Sequence, residues 1–351
     1  MSEKNLLYLR DWLFEAVRDR ASRIVQPLGI FLATDVGVER SENQDRVAVM
    51  SCARPPGESF VCAALSDGMG GMVNGSECAA MTLAALFHSL RRHQGPFEEA
   101  LFQAVNFANE RVFEFAKGKG GATLSAIIVS ENATYVVNVG DSRVYSTKEQ
   151  NLFHLARETK DDTFEELFSR PNRGLIQYVG IGEGLVPHIG RLDPDIATIY
   201  ITSDGIHYLD QHLLTEMIRK APEPKAAAER LVALARWFGG HDNGSIVALR
   251  PKEIQPELVA RDLPIIEIWS VTDKLTIMID EARVANRPIS DRRGREGDQT
   301  PDERLKPKGR PTRPGRSSRR KKRDTSQSAG RDQLRIEVEQ ITGSHDDIDR
   351  E

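Results

Sequence analysis

Residues 60–71, FVCAALSDGMGG, leave this chain few choices of fold. An unbroken run of apolar and small residues suits a strand covered on both faces. Three glycines in the four positions after Asp67 then allow backbone angles and close approaches that a side chain would block. The run delivers one carboxylate to a strand end with open space around it, which suits a hard divalent cation seeking carboxylate and carbonyl oxygens. Taken alone, an Asp-Gly pair is simply a turn. The arrangement recurs, however. Residues 134–145 place Asp141 after an apolar run and a glycine, residues 196–205 place Asp204 before Gly205, and Asp242-Asn243-Gly244 precedes the strand-like residues 245–249. Upstream, Asp35-Val36-Gly37 leads into Arg40-Ser41-Glu42-Asn43-Gln44-Asp45, followed by Val47-Ala48-Val49-Met50. A shared carboxylate cluster explains these acidic strand ends together.

The motifs, in this order, resemble those of the metal-dependent (type 2C, or PPM) serine/threonine protein phosphatases of the short bacterial kind. The resemblance runs through residues 35–45, Ser66 to Gly71, Gly121-Ala122-Thr123-Leu124, Gly140-Asp141-Ser142-Arg143, Ser203-Asp204-Gly205 and Asp242-Asn243. It covers residues 28–250, and the ordered set is specific where no single piece is. It implies an α+β fold, a four-layer αββα sandwich with a bimetal site at the edge between two antiparallel sheets. It also implies hydrolysis of phosphoserine and phosphothreonine on proteins by a hydroxide bridging two Mn²⁺ or Mg²⁺ ions, opposing a Ser/Thr kinase.

Carried over residue by residue, Asp67 resembles the bridging ligand and Gly68 the carbonyl ligand on one metal. Asp204 and Asp242 resemble the carboxylates on the other, Asp45 acts directly or through water, and Asp141 with Asp204 resembles the holder of a third, weaker ion. Arg40 matches the family's phosphate-binding arginine, whose planar fork suits a bidentate contact. Three positions depart from the pattern. Gln44 stands where many members have Glu, and Met69 stands where animal members have a His proposed as general acid. Glu158-Thr159-Lys160-Asp161-Asp162, with a short stretch to Arg173-Gly174-Leu175-Ile176, replaces the usual flap sequence, which bears on substrate choice more than on catalysis. A second reading keeps the fold but makes it a catalytically weak or inactive module that binds phosphoproteins. The intact Asp45, Asp67, Asp204 and Asp242 argue against it.

The rest of the chain frames this domain. No stretch approaches the roughly 18 apolar residues that span a bilayer, and the acidic residues near the N-terminus are unlike a signal peptide. The three cysteines, Cys52, Cys62 and Cys78, lack paired spacing and read as reduced and structural, in a cytoplasmic protein. None lies in a phosphate-binding loop, and His154, His188, His207 and His241 show no zinc-like spacing. Residues 4–24 read as a helix added before the family match (residues 1–27), packed on the catalytic domain in preference to a separate docking role. Residues 76–91 and 97–117 read as apolar helices covering a sheet. Residues 121–129 and 134–145 read as a hairpin turning at Glu131-Asn132, and residues 198–202 and 245–249 as further strands. Residues 251–282 form a β-like extension that completes or flanks a sheet. Residues 283–324 hold 16 Arg and Lys against 6 Asp and Glu with no aromatic residue, the composition of a disordered basic tail. That tail could contact acidic partners or nucleic acid, with a solvated linker as the plainer reading. Residues 334–341 alternate cleanly, as a strand that adds to a partner or to its own domain.

Overall fold

The computed structural model of the protein describes residues 3–15, 20–54, 57–69, 72, 74–168, 174–259, 265–278 and 335–340. Two antiparallel sheets face one another. The first has the order β1 (Arg20–Val25), β2 (Ile30–Asp35), β11 (Gly244–Leu249), β10 (Ile196–Thr202), β7 (Arg143–Lys148) and β8 (Asn151–Arg157). The second runs β14 (Arg335–Gln340), β13 (Asp273–Met278), β12 (Ile265–Ser270), β3 (Asp45–Arg54), β4 (Glu58–Asp67), β5 (Leu124–Ser130), β6 (Thr134–Val139) and β9 (His188–Arg191).

Alternate residues of a strand point to opposite faces, so a strand packed on both must be apolar throughout. In β2, Ile30 and Leu32 face the other sheet and join Val47, Val49, Val61, Leu65, Ile127, Ile201 and Val247 in a core between the sheets. Phe31 and Ala33 face the opposite way, onto Leu231, Val232 and Ala235 of α7 (Pro224–Trp237) and Leu214 of α6 (Gln211–Arg219). The second sheet is covered on its outer face by α2 (Gly75–Leu90), which packs on β3 and β4, and by α3 (Phe97–Ala116). Phe60 of β4 meets Phe97 of α3 edge-on at 5.6 Å. The layers are therefore helix, sheet, sheet, helix, as the resemblance implies.

The N-terminal helix, α1 (Glu3–Phe14), lies against α2 through Leu6, Leu9, Trp12 and Leu13. Arg10 stacks over Phe115 of α3, and the buried Arg46 donates to the Phe14 carbonyl at 3.0 Å. The helix expected over residues 4–24 is shorter than the apolar pattern suggests. Residues 20–25 form β1, whose burial alternates and whose pairing with β2 runs from Arg20 opposite Asp35 to Val25 opposite Ile30. Backbone pairing to an open sheet edge outweighs the helical spacing there, so the sheet begins before residue 28.

A second correction concerns residues 134–145. They are two strands, β6 in the second sheet and β7 in the first, and the chain changes sheets at Gly140-Asp141-Ser142. The hairpin turn at Glu131-Asn132 lies between β5 and β6 as expected. The stretch 251–282 begins with a helix, α8 (Pro251–Val259), before β12 joins β3 and β13 follows it. β14 pairs along β13. The remainder of the tail over 283–351, like Gly70, Gly71 and Arg173, lies outside the described residues. Among the described residues no helix is long and apolar enough to cross a membrane. Cys52, Cys62 and Cys78 are buried and are not joined in disulfides.

Candidate active site

The acids gather where the two sheets meet at one edge. Asp45 opens β3 and Asp67 closes β4, and the two are directly opposite in the β3–β4 pairing. Asp204 begins the short helix α5 (Asp204–His207) straight after β10, Asp242 stands two residues before β11, and Asp141 sits in the crossing between β6 and β7. Asp45 is buried and the other four are half-buried.

Close backbone approaches hold these ends together. A Cβ at Gly68 would lie 2.2 Å from the Gly75 carbonyl oxygen, and one at Gly205 only 2.0 Å from the Asn243 carbonyl oxygen. Real Cβ atoms do not come so near, so glycine is required beside Asp67 and beside Asp204. Buried hydroxyls and amides then tie loop to loop. Thr123 Oγ1 accepts from the Asp67 N–H at 3.0 Å and shares a 2.7 Å bond with Ser142 Oγ, next to Asp141. Ser203 Oγ donates to Asp45 Oδ2 at 2.7 Å and accepts from the Ser245 N–H at 2.9 Å, bridging the two sheets. Asn243 Oδ1 accepts from the Gln44 N–H at 2.8 Å, and its amide donates to the carbonyls of Val36 and Glu42. These linking residues lie within the quoted motifs, but their role is visible only in three dimensions.

The electrostatics are those of like charges held close. Burial first, then the charges of Asp45, Asp204, Asp141 and Asp242, hold Asp67 well above the usual carboxylate range. Burial pushes Asp45 up to about 7 against the opposing influence of the nearby Ser245 and Ser203 hydroxyls. Burial with the Asp204 and Asp161 charges pushes Asp141 up to about 7, and burial with the Asp242 charge pushes Asp204 to about 6. All five acids therefore share one field. Arg40 is at its border: its Nη2 donates to Asp242 Oδ2 at 2.6 Å, and that bond, aided by the charges of Asp204 and Asp67, raises its pKa.

The donor set fits hard divalent cations. It is all oxygen, and Asp45 Oδ1 is buried with no hydrogen-bond partner, a costly arrangement unless another group satisfies it. Among the described residues, no three His, Cys, Asp or Glu side chains already meet at a single point at ligand spacing; the acids are neighbours through their fields.

The departures from the family pattern also find their places. Gln44 lays its amide against Gly75, 3.1 Å from where a Cβ would stand. The Met69 N–H donates to the Gly121 carbonyl at 3.1 Å. Asp161 takes Arg143 at 2.6 Å and Arg157 at 2.5 Å, while Asp162 accepts from the Gly140 N–H at 2.9 Å and pairs with His188 at 2.8 Å. Asp161 and Asp162 thus brace the loop that carries Asp141. His241 pairs with Glu39 at 2.5 Å.

Asp35 behaves differently. Its Oδ1 accepts from Arg236 at 2.8 Å and from the Gly37 N–H at 2.9 Å, and its Oδ2 accepts from Arg20 at 2.8 Å. The same Arg236 Nη1 donates to the Gly37 carbonyl at 2.9 Å. This clamp fixes the loop that leads to Arg40, and nothing in the sequence spacing announces Arg236 as its partner.

A family model described as protein phosphatase 2C matches residues 38–238. This is more than half of the chain, and the chain belongs to the protein phosphatase 2C family. The chain is similar to the serine/threonine protein phosphatase PstP of Mycobacterium tuberculosis, at 30% identity over 247 residues, covering 64% of this chain and 45% of that protein. It thus spans less than half the length of this relative. Among solved structures, it is similar to the PPM Ser-Thr phosphatase MsPP from Mycobacterium smegmatis in complex with cacodylate, with a TM-score of 0.53 and 29% identity over 64% of this chain and 98% of that one. It is also similar to the catalytic domain of PstP in complex with two manganese ions, with a TM-score of 0.51 and 26% identity over 66% and 98% of the two chains.

Proposed function

We propose that the protein removes phosphate from phosphoserine and phosphothreonine on protein substrates in a reaction that depends on divalent metal ions. The observation that carries this reading is the convergence of five carboxylates from both sheets into one field, with Arg40 at its border. Asp67, the Gly68 carbonyl and Asp45 would hold one side of a pair of Mn²⁺ or Mg²⁺ ions, and Asp204 and Asp242 the other. Asp141 with Asp204 would hold a third, weaker ion. When bound, such ions supply an activated water and neutralise charge developing on the phosphoryl oxygens. The manganese-bound structure of the PstP domain supports the choice of ion.

The chain's own residues do the positioning. Ser203 orients Asp45 from the opposite sheet, and Thr123 couples the backbone of Asp67 to the Asp141 loop through Ser142. Arg40 exchanges one carboxylate partner, Asp242, for the phosphate, where its fork binds two oxygens at once and orients the ester. The paired substrate chemistry calls for a Ser/Thr kinase as the opposing activity. Three buried cysteines outside any disulfide suit a reducing compartment and support a cytoplasmic setting.

Phosphate release from a phosphothreonine peptide, measured with Mn²⁺, with Mg²⁺ and with chelator, tests the reading. Turnover that needs metal and disappears in Asp67→Asn is expected. A folded protein inert with both metals would overturn it and favour a phosphoprotein-binding module.

A further inference from the structure

Beside the carboxylate cluster the surface turns apolar. α7 ends at Trp237, which is 79% exposed, and Phe238 follows at 45%; their rings meet edge-on at 5.2 Å. Val38, 59% exposed, stands two residues before Arg40. These segments form one rim. The Val38 N–H donates to the Gly240 carbonyl at 2.7 Å, the Glu39 N–H reaches the same oxygen at 3.3 Å, and His241 pairs with Glu39. The fold asks nothing of the Trp237 ring, because Leu231, Val232 and Ala235 make the contacts of α7 with the first sheet. Leaving a large aromatic side chain in water forgoes about 2–3 kcal/mol of burial, and exposed tryptophans concentrate where partners bind.

We propose that this rim docks the phosphoprotein substrate, taking a large apolar side chain that lies a few residues from the phosphorylated Ser or Thr. The proposal rests on the phosphatase reading and adds the kind of sequence the site selects. Reach decides the occupant. Consecutive Cα atoms are about 3.8 Å apart, so Val38 lies within about 8 Å of Arg40, and Trp237 within about 19 Å of Asp242. An extended peptide advances about 3.3 Å per residue, so with its phosphate at Arg40, a residue no more than about six positions away spans the distance to the rim. The loops that carry Arg40 and Asp242 are the same loops that carry the apolar side chains, and a substrate entering one meets the other.

The test compares phosphothreonine peptides that carry Phe at successive positions on either side of the phosphoresidue with an all-Ala-flanked peptide and with para-nitrophenyl phosphate. Wild type, Trp237→Ala and Val38→Ala are measured with Mn²⁺. Wild type is expected to favour at least one Phe-bearing peptide by about tenfold in kcat/KM, through KM. Trp237→Ala should erase that preference and leave para-nitrophenyl phosphate turnover within about twofold. A preference that survives in both variants, or no preference in wild type, overturns the proposal. So does a joint loss of preference and of para-nitrophenyl phosphate turnover, which marks damage to the site itself. A dimer seen by light scattering that dissociates in Trp237→Ala, with peptide preference unchanged, would assign the rim to a second copy instead. If wild type hydrolyses no substrate, the phosphatase reading fails separately. Calorimetric binding of a non-hydrolysable phosphonate analogue of the Phe peptide then decides docking: weaker binding to Trp237→Ala upholds it and equal binding overturns it.

Discussion

Asp35 and Asp45 look alike in the chain and serve opposite ends. Both stand at the end of an apolar run beside a turn, and both are buried. Every lone-pair direction of Asp35 that matters is answered, by Arg20, by Arg236 and by the Gly37 N–H. Asp45 has one oxygen held by Ser203 and the other without a hydrogen bond, and the charges of Asp204 and Asp242 press on its carboxylate. The first is a strut, and the second has the free oxygen that the proposed cation site calls for. Charge environment, rather than residue type or position in a strand, separates structural from functional carboxylates here.

The comparison breaks most sharply on the functional side. Asp67→Asn or Asp204→Asn should lower metal-dependent turnover by about a thousandfold or more, a loss of about 4 kcal/mol of transition-state stabilisation, while circular dichroism shows an unchanged fold. If either variant keeps substantial turnover, the acid cluster is not the site. Asp35→Asn should do the reverse. Weakening a buried, doubly paired carboxylate is expected to cost about 2–3 kcal/mol in denaturant unfolding, with residual activity tracking the folded fraction. Loss of activity in a fully folded Asp35→Asn would move Asp35 into the functional group.

A third, smaller effect concerns Arg40, which faces the cluster from its edge. Because phosphate is held in both ground and transition states, Arg40→Ala should raise KM by about tenfold with a lesser change in kcat; a fall in kcat at unchanged KM contradicts that role. The smallest effect is on the metal-free protein. Asp45 and Asp141, both raised to about 7 chiefly by burial, bind protons more tightly folded than unfolded. The native state therefore holds more protons than the unfolded chain between about pH 4 and about pH 7, and stability falls as pH rises through that window. In chelator, the melting temperature should be a few degrees higher near about pH 5.5 than near about pH 7.5, and Mn²⁺ should reverse the order. Equal melting temperatures at the two pH values would mean the acids are not in mutual contact with a low-dielectric interior.

Much of this was legible beforehand, for definite reasons. The helices α2 and α3, the turn at Glu131-Asn132 and the strands β10 and β11 follow from periodicity and turn chemistry, which are local. The acidic ends were legible as a set because four of them repeat one pattern. β1 was not, because a strand's pairing partner lies elsewhere in the chain while its apolar spacing also fits a helix. Residues 134–145 looked like one strand because hydrophobicity does not say which sheet a strand joins. The apolar residues at 237 and 238 look like a continuation of the α7 stripe, and only their exposure shows otherwise.

Residue order alone determined that this chain builds doubly covered strands, ends them on acids and puts glycine beside the two that need close backbone approach. Those are short-range consequences of side-chain size, polarity and backbone freedom. Which acid meets arginines and which meets other acids, which hydroxyl bridges the sheets, and that Trp237 remains in water beside Arg40's loop were decided by tertiary structure. Electrostatic pairing and burial depend on distances between residues as far apart as Asp35 and Arg236, and chain folding alone sets those distances.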